Sequence, residues 1–191
     1  VIVLTRPAPG PPPEPGPSPQ APPAGPGGGQ LHEASPADGP RYARAVGTDT
    51  PATFAERLGR GQRCFFVLTH DRLVHATWVA TGATWMGEVA RWFTPPPGDA
   101  YVFESFTAPS ARGRGIYPFA LAGIGRTLGA EGAETLWIAT EATNAPSLRA
   151  IDKAGFTPRF ELSFRRRLGT TAVSVPPAGH GVITRGRSGD P

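Results

Sequence analysis

Hydrophobic and polar positions follow the periods of strands and helices from about residue 41 onward. Residues 41–46 alternate and predict a first strand, whereas 63–69 and 73–81 are apolar over strand length. A turn at His70, Asp71 and Arg72 separates the last two segments, so the pattern predicts an antiparallel hairpin there.

A short helix is predicted over residues 50–60, between the first strand and the hairpin. Thr50 is a favourable N-cap, and Pro51 suits the first helical position. Phe54 and Leu58 are four residues apart, so both would lie on the helix face that packs against a sheet.

The stretch 101–117 predicts a strand, a turn and a helix start in immediate succession. Residues 101–107 form the strand, and a helix follows over 116–129. That helix has one apolar stripe, made of Tyr117, Ala120, Leu121, Ile124 and Leu128. Such a stripe is typical of a helix packed on a sheet.

The remaining pattern predicts a parallel strand over 135–140, a helix opened by Asn144 and a last strand over 159–168. Either 171–175 or 181–184 could add an edge strand. The order from residue 41 is β-α-β-β-β-α-β-α-β, which predicts an α/β fold with a mixed central sheet and flanking helices.

Two segments lack this pattern. Residues 1–40 contain 13 of the 24 prolines and seven of the 25 glycines. They predict a disordered tail, either a spacer or a proline-rich ligand for a partner, because little apolar surface is available to offset the entropy of ordering.

Residues 82–99 are irregular and aromatic. Trp85 and Trp92 would wall a substrate loop or pack into the core, and packing is the preferred interpretation.

The predicted organisation is a tail over 1–40, one domain over 41–169 and a C-terminal tail or edge strand over 170–191.

Net charge is +4, but 18 of the 19 basic residues are scattered arginines, so no nucleic-acid partner is predicted. Cys64 is the only cysteine, which excludes a disulfide framework, and no metal-site spacing is present. No run is long enough for a membrane span, so we expect a cytoplasmic protein.

The turn formed by Arg112, Gly113, Arg114 and Gly115 has the properties of a phosphate site. A helix start offers N–H groups without intrahelical acceptors and the positive end of the helix dipole. Glycines let the backbone approach an anion, and the two arginines add cations. No lysine follows the glycines, which excludes a P-loop, and a dinucleotide fingerprint matches weakly because a third glycine is missing.

The turn does satisfy the pattern [Arg/Gln]-x-x-Gly-x-[Gly/Ala], except that Tyr117 occupies the last place. Here the sequence resembles the GNAT acyltransferase superfamily, whose members bind the pyrophosphate of coenzyme A on such a turn. A second stretch, residues 144–156, resembles another signature of that family: Asn144 opens a helix that ends at Gly155 and Phe156.

The resemblance implies a GNAT-like sheet whose parallel strands, 101–107 and 135–140, splay apart and form the acyl-CoA site. The backbone of residues 106–108 would bind the pantetheine arm, and Asn144 would reach the arm near the thioester. The implied coenzyme-binding residues are Phe106, Thr107, Ala108, Arg112, Gly113, Arg114, Gly115, Ile116, Tyr117, Asn144 and Ser147.

Acyl transfer to an amine requires a base that removes a proton from the attacking nitrogen. Glu104 is the predicted base, being the only carboxylate on its strand, and a structural salt bridge is the competing use. Strand parity would place it opposite Tyr101, Phe103 and Ser105. Tyr101 and Ser105 are the alternative catalytic candidates.

Many members of the family carry a tyrosine acid seven positions after the helix-opening Asn, where this chain has Ile151. A thiol of ordinary pKa can leave as thiolate, so activity is not excluded. Tyr117 is a conceivable substitute, but it is expected at the pyrophosphate end.

The resemblance implies an acetyl-CoA-dependent N-acetyltransferase that acts by direct transfer in a ternary complex, without a metal. Its acceptor would be a small-molecule or protein amine, and a homodimer is compatible with the fold. The alternative is a catalytically inert coenzyme-binding or interaction module of the same fold.

Overall fold

A computed structural model describes residues 1–10, 24–167, 170–174 and 181–185. Its four helices are α1 (Gly39–Val46), α2 (Pro51–Gly59), α3 (Ile116–Ala130) and α4 (Ala145–Lys153). Its strands are β1 (Ile2–Pro7), β2 (Gln30–Glu33), β3 (Arg63–Thr69), β4 (Arg72–Ala80), β5 (Thr84–Met86), β6 (Arg91–Thr94), β7 (Ala100–Thr107), β8 (Thr135–Thr140), β9 (Thr157–Glu161), β10 (Ser163–Arg167), β11 (Thr170–Ser174) and β12 (Val182–Thr184).

Seven strands form the central sheet, in the order β2-β3-β4-β7-β8-β1-β9. β7 and β8 run parallel, and the other neighbouring pairs of this sheet are antiparallel. This mixed sheet with flanking helices confirms the predicted fold class.

The helices cover both faces of the sheet. On the α1/α2 face, Tyr42 of α1 and Phe54 of α2 share a core with Trp78, Tyr101 and Phe103 of the sheet. On the α3/α4 face, a second core is built by side chains of α3, α4 and the sheet: Leu121, Ile124, Leu128, Ile151, Val102, Leu136 and Ile138. β7 therefore contributes alternate side chains to the two cores, as a strand buried on both faces must.

The described parts of residues 1–40 are ordered, which corrects the expectation of a disordered tail. β1 lies between β8 and β9 and pairs with both, and β2 pairs with β3 at the edge of the sheet. The reason is that Val3 and Leu4 are both buried, each on one face of the sheet. A short apolar strand thus finds its partners at the far end of the chain, while residues 11–23 lie outside the described structure.

The predicted first strand, 41–46, is wrong, because this segment is helix α1. Tyr42, Ala45 and Val46 have helical spacing and pack into one core. Gly47 ends the helix in the left-handed conformation, with φ of 78°. The alternation of RYARAV fitted both periods, and tertiary packing selected the helical one.

The later helices, α2, α3 and α4, form where the sequence predicted them, and two of them have the predicted caps. Thr50 accepts a hydrogen bond from Thr53 N, and Asn144 accepts one from Ser147 N. The predicted strands 63–69, 73–81, 101–107 and 135–140 agree with β3, β4, β7 and β8 to within a residue.

Two other segments differ from prediction. Residues 82–99 contain the hairpin of β5 and β6, to which β12 adds a third strand. In this hairpin Met86 and Phe93 are buried, while the half-buried Trp85 and Trp92 meet edge to face at 5.6 Å between ring centroids. The predicted strand 159–168 is interrupted at the buried Leu162, after which β10 pairs with β11. Leu168 and Val175 lie outside the described residues.

Candidate functional site

The site lies where β7 and β8 separate. Their parallel pairing extends from Ala100 with Leu136 to Val102 with Ile138. β7 continues to Thr107 and β8 to Thr140 without further pairing between them. Two diverging strands leave backbone groups and space between them at the centre of the sheet.

A β-bulge at Glu104 determines on which faces of the sheet the side chains of Glu104 and Ser105 lie. The register of β4 against β7 shifts between Ala76 and Trp78, which leaves one extra residue on β7. Glu104 has a φ of 46°, a left-handed conformation that is uncommon for a residue other than glycine. Strained residues of this kind persist only where the surrounding structure holds them, and they cluster at functional sites. The conformation of Glu104 therefore makes this part of β7 a candidate for such a site.

The bulge reverses the faces expected from strand parity. Glu104 points to the α1/α2 face, where one carboxylate oxygen is 2.7 Å from the Arg57 guanidinium of α2. Ser105 lies on the other side, where its hydroxyl contacts that of Thr77 on β4. Glu104 therefore shares the face of Tyr101 and Phe103, and Ser105 does not, which corrects the predicted arrangement.

The arginine and glycine turn connects β7 to α3. Arg112 Nε donates to Thr107 O at 3.1 Å, so this side chain is anchored to the end of β7. Gly113 and Gly115 have φ of 74° and 76°, which requires glycine. Phe119 N donates to Gly115 O, so the N–H groups before it precede the hydrogen-bond ladder of α3.

A cavity of about 540 Å³ connects this turn to the start of α4. It contains nine of the predicted site residues, namely Ser105, Thr107, Arg112, Gly113, Gly115, Ile116, Tyr117, Asn144 and Ser147. Phe106, Ala108 and Arg114 do not line it. Ala108 N already donates to Val74 O at 2.9 Å, and Phe106 pairs with Ala76, so both are held against β4.

Sequence reasoning missed two cations of this cavity, Arg149 and Lys153. They are four residues apart on α4 and therefore lie on one face of that helix. Together with Arg112 they give the cavity three positive side chains. The sequence did contain a signal for them, namely their spacing along the helix that Asn144 opens.

Tyr117 lines the cavity beside the turn. Its ring centroid is 5.2 Å from that of His75. Burial raises the pKa of this phenol, and the Ser105 and Ser147 side chains have the opposite effect on it. Among the described residues, no heavy atom beyond the chain neighbours lies within 4 Å of the Cβ position of Gly113, so the Tyr117 ring does not cover the first glycine of the turn.

A second cavity, of about 490 Å³, lies on the α1/α2 face of the same strand end. It shares Ser105, Thr107 and Arg112 with the first cavity. Its own lining consists of Tyr42, Val46, Thr48, Asp49, Arg57, Glu104 and Phe106. Two cavities therefore meet across the end of β7, with Glu104 in one and Tyr117 in the other.

Arg57 holds the charges of the second cavity in place. Its guanidinium lies over the Trp78 ring, 3.8 Å from the centroid, and its Nη1 contacts Asp49 at 2.9 Å and Glu104 at 2.7 Å. The Glu104 side chain remains 54% exposed, so its carboxylate is accessible from the cavity. Glu104 thus forms an ion pair with Arg57 and also faces the cavity, so the two uses that the sequence suggested for it are compatible.

Comparisons with known proteins were made on the sequence and on the structure. No protein-family model matches the sequence, and no curated protein matches it. Among solved structures, an aminoglycoside N-acetyltransferase in complex with CoA superimposes with a TM-score of 0.57 at 13% identity, over 72% of this chain and 98% of that chain. The ribosomal-protein-S18-alanine N-acetyltransferase from Escherichia coli gives 0.53 at 17% identity, over 82% and 90%.

A GNAT-family acetyltransferase from Colwellia psychrerythraea gives a TM-score of 0.50 at 18% identity, over 68% of this chain. The chain has the GNAT fold. It spans about half the length of the Colwellia protein, because the match covers 46% of that chain. The recognition of a GNAT-like architecture from two short signatures is confirmed at the level of the fold.

Within this GNAT fold, two expected positions cannot supply a proton donor to the cavity. Ile151 is fully buried in the core of the α3/α4 face. Tyr101 packs between Phe93 and Phe103 and lines neither cavity, and burial raises its pKa well above the ordinary value. The geometry therefore does not support Tyr101 as a catalytic residue.

In the described part of the chain, no group of three or more His, Cys, Asp or Glu side chains is arranged to hold a metal ion. No helix among the described residues combines the length and apolar character needed to cross a membrane.

Proposed function

We propose that this chain is an acetyl-CoA-dependent N-acetyltransferase that moves an acetyl group to an amine by direct transfer in a ternary complex. One observation carries the proposal: a single cavity joins the arginine and glycine turn to Asn144 and Ser147, at the point where β7 and β8 separate. A donor with a charged end and a thioester end would find complementary groups along this path.

The charged end of the donor suits the turn. Backbone N–H groups at the start of α3 and the positive helix dipole favour a diphosphate, and the glycines allow its close approach. Arg112 of the turn and Arg149 and Lys153 of α4 add three cations to the lining of the same cavity. The GNAT fold seen in a CoA complex of another protein is consistent with this donor.

The acceptor amine suits the second cavity. Its volume of about 490 Å³ lies within the range of small-molecule sites, roughly 300–1,000 Å³. Glu104 lines this second cavity and precedes Ser105, which lines both, and we assign Glu104 the role of accepting the proton that the amine must lose. Small-molecule amines and exposed protein amines both fit this chemistry.

Binding and turnover can be tested separately. Calorimetry measures acetyl-CoA binding, and a thiol-release assay with a panel of amines measures transfer. Gly113→Ala should weaken acetyl-CoA binding at least tenfold, about 1.4 kcal/mol, because a methyl group enters the cavity beside the turn. Gly61→Ala is the matched control: Gly61 also has positive φ, 84°, with open space around its Cβ position, but lines neither cavity.

The outcomes separate the alternatives. Loss of affinity in Gly113→Ala with normal binding in Gly61→Ala, together with amine-dependent thiol release that falls in Glu104→Gln, supports the enzyme. Binding without turnover across the panel supports an inert coenzyme-binding module instead. Absence of acetyl-CoA binding by the wild-type chain rejects both.

A further inference from the structure

Arg57 of α2 is held on several sides at the second cavity. Its guanidinium carbon lies 3.8 Å from the centroid of the Trp78 ring, and its Nε donates a hydrogen bond to Gln62 Oε1 at 3.0 Å. Its Nη1 donates to Asp49 Oδ2 at 2.9 Å, and only 15% of the side chain is exposed. These contacts hold the face and two nitrogens of the planar fork, so the orientation of Arg57 does not depend on Glu104.

The ring beneath Arg57 is itself fixed by the core of the α1/α2 face. Trp78 is fully buried, and its Nε1 donates to the hydroxyl of Tyr42 on α1 at 2.9 Å. The ring of Phe54 on α2 packs against it, at 5.1 Å between centroids. The position of the guanidinium is therefore set by buried contacts that join α1, α2 and β4.

Glu104 depends on this arrangement more than Arg57 does. Its side chain is 54% exposed, and an exposed glutamate samples several rotamers unless a partner orders it. Exposed ion pairs are usually weak because two long side chains must be ordered together. Here the arginine is already ordered, so the 2.7 Å contact of its Nη1 restricts the glutamate at a smaller entropic cost.

We propose that Arg57 is a positioning residue for the transfer: it holds the Glu104 carboxylate in the second cavity, oriented to accept the proton of the acceptor amine. The inference rests on the proposed acetyltransferase function. Arg57 acts through Glu104 in this role and exchanges no proton itself.

Asp49 makes the ion pair compatible with a base. Its carboxylate is 14% exposed and shares Nη1 of Arg57 with Glu104. Two carboxylates around one guanidinium keep one negative charge among the three groups. Glu104 is therefore oriented by Arg57 while part of the arginine charge is offset by Asp49.

The test is a double-mutant cycle of Arg57→Gln and Glu104→Gln in the full chain. Steady-state kinetics with acetyl-CoA and the best amine of the panel give kcat/KM, at enzyme concentrations that resolve the residual rate of Glu104→Gln. We expect Arg57→Gln alone to lower kcat/KM at least tenfold, because a misplaced base loses its contribution to the rate. In the Glu104→Gln chain the same substitution should lower it less than threefold, because no carboxylate is left to position.

Two controls accompany the cycle. The Kd for acetyl-CoA should stay within threefold of wild type in Arg57→Gln, because Arg57 does not line the first cavity. Arg60→Gln should leave kcat/KM unchanged: Arg60 follows α2 directly, pairs with Glu56 at 2.6 Å and lines neither cavity. If Arg57→Gln does not fold, Arg57→Lys replaces it in the cycle, since lysine keeps the charge but lacks the planar fork.

The inference is overturned if Arg57→Gln lowers kcat/KM less than tenfold in the wild-type chain, or threefold or more in the Glu104→Gln chain. The second result would show that Arg57 binds the acceptor or supports the fold independently of Glu104. A change of more than threefold in the Kd for acetyl-CoA would also overturn it, as evidence of a structural role. Failure of the proposed function is distinct, since the wild-type chain itself then releases no thiol with any amine.

Discussion

His75 is a fully buried imidazole on β4, beside the bulged end of β7. Its Nδ1 is 2.9 Å from Thr107 Oγ1, and its ring lies against Tyr117. Burial lowers the pKa of His75 to about 3, because the interior does not solvate an imidazolium. This neutral ring thus contacts two residues of the first cavity, Thr107 and Tyr117.

The low pKa of His75 links folding to pH. In the unfolded chain a histidine has a pKa of about 6.5, so between pH 6.5 and 3 the unfolded state binds a proton that the folded state excludes. Stability is therefore complete above pH 6.5 and falls as the pH decreases, by up to about 1.4 kcal/mol per pH unit from this residue.

We expect His75→Asn to reduce that slope. Urea unfolding at pH 7.0, 6.0 and 5.0 gives the free energy of unfolding at each pH, and the variant should lose less stability than wild type on acidification. His70→Asn is the control, since His70 is exposed in the turn between β3 and β4, where asparagine tolerates the positive φ of 47°. Equal slopes in wild type and His75→Asn would contradict the effect of burial.

Single residues of the site could be predicted only where their neighbours in the chain determine them. The two glycines of the turn and the Asn144 cap follow from local backbone demands, and the structure places them at the cavity. The side on which Glu104 lies could not be predicted, because a bulge against β4 reverses the strand parity after Phe103. The same bulge places Ser105 on the opposite face, where its hydroxyl contacts that of Thr77.

At the scale of elements, β1 is the strand that completes the central sheet. The chain passes from β8 through α4 to β9, but these two strands are not neighbours in the sheet. β1 lies between them and pairs with both. Val3 packs on the α1/α2 face and Leu4 on the α3/α4 face, so this strand joins the two cores. A six-residue strand within a proline-rich context thus contributes to both layers.

Leu4→Ala should lower the free energy of unfolding by about 2–5 kcal/mol, the usual cost of truncating a buried leucine. The measurement is chemical denaturation followed by circular dichroism. Ile2→Ala serves as the control on the same strand: Ile2 is only partly buried, so its truncation should cost less. A negligible effect of Leu4→Ala would mean that residues 1–10 do not belong to the sheet.

Elements with strong local signals were predicted well. α2 and α4 have good caps, the strands β3 and β4 flank a short turn, and α3 follows a glycine turn. The short elements β2, α1, β5 and β6 were missed or assigned to the wrong class. Their few residues fit more than one period, and contacts with distant partners select among the alternatives.

At the scale of the whole molecule, the order of strands places β1 against β8 and β9 and leaves the first and second cavities on opposite faces of β7. β1 pairs with β8 over six residues and with β9 over four. Without β1, the exposed edges of β8 and β9 would lose their shared partner, and with them the support beneath α4 and its cavity wall.

A chain that begins at residue 9 should therefore lose its cooperative unfolding transition and its affinity for acetyl-CoA. Thermal melts monitored by circular dichroism and calorimetric titration provide the two measurements. A peptide of residues 1–8, added in excess to the shortened chain, should restore both at least in part. A shortened chain with the melting temperature and affinity of wild type would show that β1 is dispensable.

The sequence by itself determined what neighbouring residues can encode: helix caps, the hairpin turn, and a turn of arginines and glycines between a strand and a helix. These depend on backbone preferences and on hydrogen bonds within a few positions. Only the tertiary structure decided where β1 inserts, which face Glu104 occupies, and that Tyr117, Ser105 and Ser147 line one cavity. Each of these depends on partners that are distant in the chain, and their contacts form only when the sheet and both helix layers are assembled.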